Sequence, residues 1–359
     1  MNSRDASQVC WEFAEVSSPR LDRPVPVVVA RDIPYVPGGN RLQNLSLYLP
    51  RTAQTASLAG LPATVLPTQT SPAGIPSSLV HIHGGAWRDP LHDARTIEPT
   101  VAHAFSDFSS SSPIRAVAAL NYSLSQFPTH PSDPYDTAEK QHSDPAREAV
   151  HPRHVSDIFQ GLALLRSLGF RDQSYILAGH SCGACLAFQV ALKPPGYYGL
   201  EGAPEVPCPA AVIGLNGVYD LPAAVHGLDA AHQNSSSDNK LVLLNAFGDD
   251  ERNWSAASPA HFDAAEIMER VRAGAAPRLV VLDQSEDDQV VPMNQRQRLE
   301  ANLRKVRGLR VVLGHRCTGK HSAPWQQGFM IWDSVRDALA LLQEAKSGSR
   351  GQQTAYGGF

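Results

Sequence analysis

Ser181, Asp288 and His321 are the residue types that hydrolysis by acyl transfer requires, and they occur in that order along a chain of 359 residues. A serine hydroxyl is a weak nucleophile until an imidazole takes its proton and a carboxylate holds that imidazole in the right tautomer. Ser181 lies in Gly179-His180-Ser181-Cys182-Gly183. Glycines two positions to either side lack the Cβ atoms that would keep a strand and a helix apart at a sharp turn. The apolar run Tyr175-Ile176-Leu177-Ala178 reads as the buried strand, and Ala184 to Leu192 as the helix. Ser181 then stands at a helix N-terminus, where backbone amides face developing negative charge. Upstream, His83-Gly84-Gly85-Ala86-Trp87 follows another apolar run, Ser78 to Ile82. Gly84 or Gly85, together with Cys182, would turn backbone N–H groups toward an oxyanion, because no side chain blocks the approach.

The acid and the base each have rivals. Glu286 and Asp287 precede Asp288, and adjacent carboxylates are not separable by sequence; Asp288 is favoured by its Asp-x-x-Val-Pro setting after the strand ending at Leu282. His315 follows the strand ending at Leu313 with little loop to reach the serine, so His321 in Gly319-Lys320-His321-Ser322 is preferred. A different chemistry is also written in the same stretch. Cys182-Gly183-Ala184-Cys185 is a C-x-x-C at a helix N-terminus, where a thiolate would be favoured, and it makes a redox protein the remote alternative. His81 and His83 share one strand face without further ligands for zinc, and His130, His142, His151 and His154 read as solvated loop histidines rather than a metal site. No metal and no organic cofactor is expected.

These residues need a scaffold that brings several strand ends to one edge. Val25–Ala30, Leu45–Leu49, Ser78–Ile82, Ile114–Leu120, Tyr175–Ala178, Ala210–Gly214, Arg278–Leu282 and Leu309–Leu313 read as strands, the second of them an antiparallel edge or hairpin strand. Helical periodicity appears at Val155, Ile158, Phe159, Leu162, Leu165 and Leu168, again at Leu299, Leu303 and Val306, and at Phe329, Trp332, Val335, Leu339 and Leu342. Strands alternating with helices predict an α/β class fold, a mostly parallel sheet covered by helices on both faces. The order serine, aspartate, histidine is that of the α/β-hydrolase fold. We expect one such domain over 1–345, with inserted loops near 51–78 and 129–152, a polar loop at Asn234–Lys240, and a disordered tail over 346–359.

Composition narrows the partners. Net charge is −4, with 42% hydrophobic and 18% charged residues, which gives no support for a nucleic-acid or anionic-membrane partner. Five cysteines, an odd number, and a start without an apolar signal core lead to an expected cytoplasmic location. A small-molecule substrate is the expected partner; a homodimer is compatible with the sequence and not required by it.

His83-Gly84-Gly85-Ala86-Trp87-Arg88-Asp89-Pro90, with Gly179-His180-Ser181-Cys182-Gly183-Ala184, resembles the fungal kynurenine formamidases, or arylformamidases, of the hormone-sensitive-lipase-like branch of α/β hydrolases. Asn121-Tyr122-Ser123-Leu124, Gly217-Val218-Tyr219-Asp220-Leu221 and Asp288-Gln289-Val290-Val291 fit the same pattern, and the likeness runs from about Asp32 to Leu342. The resemblance implies a serine hydrolase that converts N-formyl-L-kynurenine to L-kynurenine and formate, in tryptophan degradation and NAD synthesis. An HGG-x-W segment also occurs in carboxylesterases, so short-chain ester hydrolysis is the alternative. Trp87 is either a wall for the substrate ring or a core residue.

Overall fold

A computed structural model describes residues 5–67, 75–109, 112–139, 143–228, 232–233 and 236–354. Nine strands form one sheet: β1 (Glu12–Val16), β2 (Val25–Pro34), β3 (Asn44–Pro50), β4 (Ser78–Ile82), β5 (Ala116–Leu120), β6 (Tyr175–His180), β7 (Ala211–Leu215), β8 (Leu279–Asp283) and β9 (Arg310–Gly314). Their order is β1-β2-β3-β5-β4-β6-β7-β8-β9. The first three strands pair antiparallel, as do β3 and β5, and every pairing from β5 through β4 to β9 is parallel. This is the architecture of the α/β-hydrolase fold expected from the order of strands and helices. Strand β3 is antiparallel as expected but lies inside the sheet, paired on both sides and buried along its whole length.

Eleven helices among the described residues join the strands: α1 (Ala53–Ala56), α2 (Glu98–Ser106), α3 (Arg153–Ser167), α4 (Cys182–Leu192), α5 (Ala223–His226), α6 (Ser236–Phe247), α7 (Glu251–Ala257), α8 (Ala264–Arg272), α9 (Asn294–Leu303), α10 (Ala323–Gln327) and α11 (Phe329–Thr354). Alternate residues of the strands pack into two separate apolar layers. Val80, Ile82 and Leu177 face α3 and α4 on one side. Leu79, Ile176 and Ile213 face α2 and α11 on the other. Near-continuous apolar strands follow from this two-sided cover.

Three expectations change and one strand is new. Strand β1 was not legible, because its first four residues are exposed or half-buried and only Val16 is fully covered. The 51–78 insertion is partly tied down: Trp11 N–H donates to Leu61 O (2.9 Å) and Ala63 N–H to Val9 O (2.7 Å), while 68–74 lie outside the described residues. The polar stretch around Asn234–Lys240 is helical from Ser236 onward, since α6 buries Leu243, Ala246 and Phe247 further along; Asn234 and Ser235 are outside the described residues. Where a disordered tail was expected from 346, α11 continues to Thr354. Leu341 and Leu342 anchor it on the core, and Gln343-Glu344-Ala345-Lys346 are good helix formers that prolong it; 355–359 fall outside the description. Among the described residues no helix is long and apolar enough to cross a membrane.

Candidate active site

The parallel register sets the site. Ile82 at the end of β4 pairs with Gly179 of β6, and His180, Leu215, Asp283 and Gly314 stand in register across β6 to β9. The loops after these five strands therefore emerge along one edge, where ligands bind in open α/β sheets.

Ser181 is the residue between β6 and α4, with φ 55° and ψ −124°. A non-glycine residue there is strained, and the surroundings hold it. Its N–H donates to Leu215 O (3.0 Å), and its carbonyl accepts from Ala184 N–H (3.0 Å) and Val218 N–H (3.3 Å). The flanking glycines have the role their spacing implied. A Cβ on Gly179 would fall on the backbone of Gly183, and one on Gly183 on the carbonyls of Ile82 and His83. Cys182 opens the helix, so its N–H has no acceptor within α4.

Asp288 and His321 meet as a pair. His321 Nδ1 lies 2.8 Å and 3.0 Å from the two Asp288 carboxylate oxygens, and Asp288 Oδ1 also accepts from the N–H groups of Val290 (2.9 Å) and Val291 (3.0 Å). The Asp288 side chain is 1% exposed. Glu286, Asp287 and His315 are all exposed, so the rivals for acid and base stand apart from the pair.

Two residues that sequence reasoning missed fix the histidine. The His321 carbonyl accepts from His180 Nε2–H (2.9 Å) and Asn216 Nδ2–H (3.1 Å), and the His180 and His321 rings lie 4.8 Å apart. Asn216 takes a positive φ of 46° and accepts Ser285 N–H through Oδ1 (2.9 Å), tying the acid loop to the histidine loop. Gln289 Oε1 accepts His321 N–H (3.1 Å). The first x of G-x-S-x-G and an asparagine at a strand end were the available signals, but neither states a partner.

The HGG segment packs directly against the elbow. A Cβ on Gly84 would come within 2.9 Å of His180 Nδ1 and 3.1 Å of Ser181 Cβ, so only glycine allows this approach. Gly85, Ala86 and Trp87 then all take positive φ. Trp87 N–H donates to Cys182 Sγ (3.3 Å), and the Tyr122 hydroxyl donates to the carbonyls of His83 and Gly84 (3.2 Å each) while stacking on the His83 ring at 4.5 Å. Trp87 is 2% exposed and meets Phe247 edge-on at 5.1 Å. It packs in the core and also lines a largely apolar cavity with Ser181, Cys182, Ala86, Asn239 and Val291. Ala86, the x of the HGG-x-W motif, lines the same cavity as the serine.

Burial decides the titration of the surrounding groups. The thiol of Cys182 is pushed up to about 11 and that of Cys185 well above its ordinary value, both by desolvation. Helix position does not offset this, and the C-x-x-C carries none of the thiolate character a redox centre uses. Burial also lowers His81 to about 3 and His83 to about 4, and His180 well below its ordinary range, so all three are neutral at pH 7. The loop histidines are not solvated as expected: His130 is 5% exposed and His154 fully buried, its Nε2 sharing a hydrogen with Ser125 Oγ (3.0 Å). Residues 143–152 lead straight into α3, which turns His154 inward; His142 is outside the described residues.

No protein-family model matches the chain. It is 31% identical over 273 residues to the kynurenine formamidase-like hydrolase fscH of Fusarium equiseti, covering 74% of this chain and 84% of that one. It is 29% identical to the kynurenine formamidase avaC of Aspergillus versicolor over 231 residues, covering 60% of this chain and 72% of that one. Among solved structures, esterase B of Lactobacillus rhamnosis superposes with a TM-score of 0.55 at 16% identity, over 99% of this chain and 90% of that one. A carbohydrate esterase from gut microbiota superposes with a TM-score of 0.55 at 15% identity, over 88% and 95%. At these identities the structural likeness speaks for the fold.

Proposed function

The chain belongs to the kynurenine formamidase-like hydrolases, and from that premise we propose that it hydrolyses N-formyl-L-kynurenine to L-kynurenine and formate through a Ser181–His321–Asp288 triad. The observation that carries the mechanism is the His321–Asp288 pair at 2.8 Å, with Asp288 buried and its other bonds satisfied by backbone. An Asp-bound Nδ1–H leaves Nε2 as the free base. In this reading Nε2 takes the Ser181 proton as Oγ attacks the formyl carbon. The tetrahedral oxyanion is held by the N–H of Cys182 and an N–H of the Gly84–Gly85 segment. Collapse expels the arylamine, which takes the proton from His321, and leaves a formyl ester on Ser181. Water, deprotonated by the same imidazole, then attacks that ester and releases formate. Losing one oxyanion donor would cost on the order of 3 kcal/mol in the barrier.

A formyl group is the smallest acyl group, and Gly84 lies against Ser181 with no space for a Cβ. In this reading the site beside the oxyanion donors takes a formyl group and disfavours added methylenes. The test is kcat/KM on one arylamine acylated with formyl, acetyl or butyryl groups, alongside a short-chain nitrophenyl ester. A steep fall with acyl length is expected. A flat or rising series with the ester preferred would make the chain a carboxylesterase and end the formamidase reading.

A further inference from the structure

The wall of the cavity at Ser181 is largely apolar, and two of its lining residues carry a side-chain amide, Gln295 and Asn239. Gln295 is engaged at both ends by the scaffold. Its Oε1 accepts the N–H groups of Tyr219 and Asp220 (2.8 Å each), its Nε2 donates to Asp220 O (3.0 Å), and the residue is fully buried. Asn239 is engaged at one end. Its Nδ2 donates to Ala224 O (2.8 Å), which fixes the amide's orientation, because a carbonyl oxygen has no hydrogen to give and the atom facing it must be the nitrogen. Oδ1 is thereby identified as the other terminus. It accepts no hydrogen bond from any described residue, and it is open: Asn239 is half-buried, and its Oδ1 keeps accessible surface, unlike Asn294 Oδ1, which is sealed without a partner.

Helix geometry turns this residue to the site. Asn239, Val242 and Leu243 all line the cavity, and their spacing of three and four residues puts them on one face of α6. Asp238, the neighbouring carboxylate, is exposed and is not part of the lining. The wall therefore presents a neutral acceptor oxygen set among apolar side chains. Water can serve such an oxygen until a ligand displaces it. A ligand that brings no hydrogen then leaves the acceptor dehydrated and unpaired, so the cavity selects ligands that carry a donor to that point.

We propose that Asn239 Oδ1 accepts an N–H group of the leaving arylamine, selecting substrates with a nitrogen donor there over those without one. The inference rests on the formamidase reading for the identity of the leaving group. A formyl group adds a single hydrogen to the carbonyl under attack, so nearly the whole substrate is arylamine, and that is the part a residue lining the cavity meets. The N–H has two sources: the scissile amide, which an ester lacks, and the ammonium of the amino-acid side chain. Asn239 is a specificity-determining residue with either source, and it exchanges no proton.

Matched substrates test this. Formanilide and phenyl formate differ only in N–H against O at the scissile bond. Asn239→Leu is expected to lower kcat/KM for the amide by roughly 10- to 100-fold and to leave that for the ester nearly unchanged. N-formyl-L-kynurenine and 2′-formamidoacetophenone locate the hydrogen: a loss on all three formamides assigns the scissile N–H, and a loss on N-formyl-L-kynurenine alone assigns the ammonium. Equal losses on amides and ester, or no loss on any formamide, would overturn the inference. Asn239→Asp keeps an acceptor oxygen but cannot donate to Ala224 O, so it is expected to retain the discrimination. If Asn239→Asp loses it as completely as Asn239→Leu, or if thermal melting shows that neither variant folds, the tie to α5 is the residue's whole role and the inference falls.

A second assay needs no formamide hydrolysis. L-kynurenine, 2′-aminoacetophenone and 2′-methylacetophenone, the last without an N–H donor, compete against turnover of p-nitrophenyl acetate. At least one of the two amines is expected to compete about tenfold better than the methyl ketone in the native protein, and no better in Asn239→Leu. A protein that shows this gap yet hydrolyses no formamide keeps the inference and loses the formamidase reading. Formamide hydrolysis without the gap does the reverse. A gap that survives Asn239→Leu places the acceptor elsewhere and overturns the inference.

Discussion

Strands β4 and β6 lie side by side and end in similar wording, His83-Gly84-Gly85-Ala86-Trp87 and His180-Ser181-Cys182-Gly183, yet their turns are held by different means. The β6 turn is shaped mainly by its own segment, with Leu215 O and Val218 N–H holding it from outside. Its strain sits on one residue, Ser181, and its closeness to α4 depends on glycines within the same segment. The β4 turn spreads positive φ over three residues and is held from outside, by Cys182 Sγ, by the Tyr122 hydroxyl, and by Ser125 N–H donating to Trp87 O (2.8 Å). The contrast teaches that a nucleophile can be placed by local sequence, whereas oxyanion donors must be placed relative to it and so depend on tertiary contacts.

Ser181→Ala gives the largest expected effect, a fall in kcat on the order of a million-fold with both turns intact, as when a triad nucleophile is removed elsewhere. Circular dichroism and single-turnover rates check it together; near-native turnover in the folded variant would end the triad reading. Cys182→Ala with Cys185→Ala should cost far less, and a larger loss there would revive the redox alternative. Next comes Asp288→Asn, expected to lower kcat by about four orders of magnitude through the wrong His321 tautomer, while Asp287→Asn, exposed and unpaired with the histidine, changes little.

Gly183→Ala tests how far the elbow is self-contained. Its Cβ would meet the carbonyls of Ile82 and His83, so stability should drop by roughly 3 kcal/mol, read by urea denaturation. A silent substitution would show that β4 yields and that the two turns are less distinct than described.

The smallest effect is a pH dependence of the β4 segment. His81 and His83 have folded-state values of about 3 and about 4, below the unfolded value near 6.5. In that window the unfolded chain binds more protons, so their contribution is intact above pH 6.5 and is lost as pH falls toward 4. Denaturation at pH 7.5 and 5 should show the decline, and His81→Leu, which removes a ring with no partner for either nitrogen among the described residues, should flatten it. An unchanged slope in His81→Leu would assign the acid sensitivity to other groups.

The order of elements and the elbow were readable because each is written in contiguous residues, whereas for the acid and the base the sequence offered a preference among neighbours. Apolar runs make buried strands, Gly-x-Ser-x-Gly makes a close turn, and loops after successive parallel strands must share an edge. What failed was short or polar. Strand β1 has one fully covered residue, and α6 begins in a serine-rich stretch whose helicity depends on packing at its far end. Loop histidines looked solvated because composition reports polarity and not the neighbours that bury His130 and His154.

By itself, then, the sequence determined the fold class and the local geometry around Ser181, since both follow from near-neighbour sterics and periodicity. Only the tertiary structure decided which of three consecutive acids faces the histidine, that His180 and Asn216 clamp the His321 carbonyl, and that Ala224 holds the Asn239 amide at the wall of the cavity containing Ser181. Each of these depends on groups distant in sequence, whose distances and dehydration are fixed only when the sheet has been assembled.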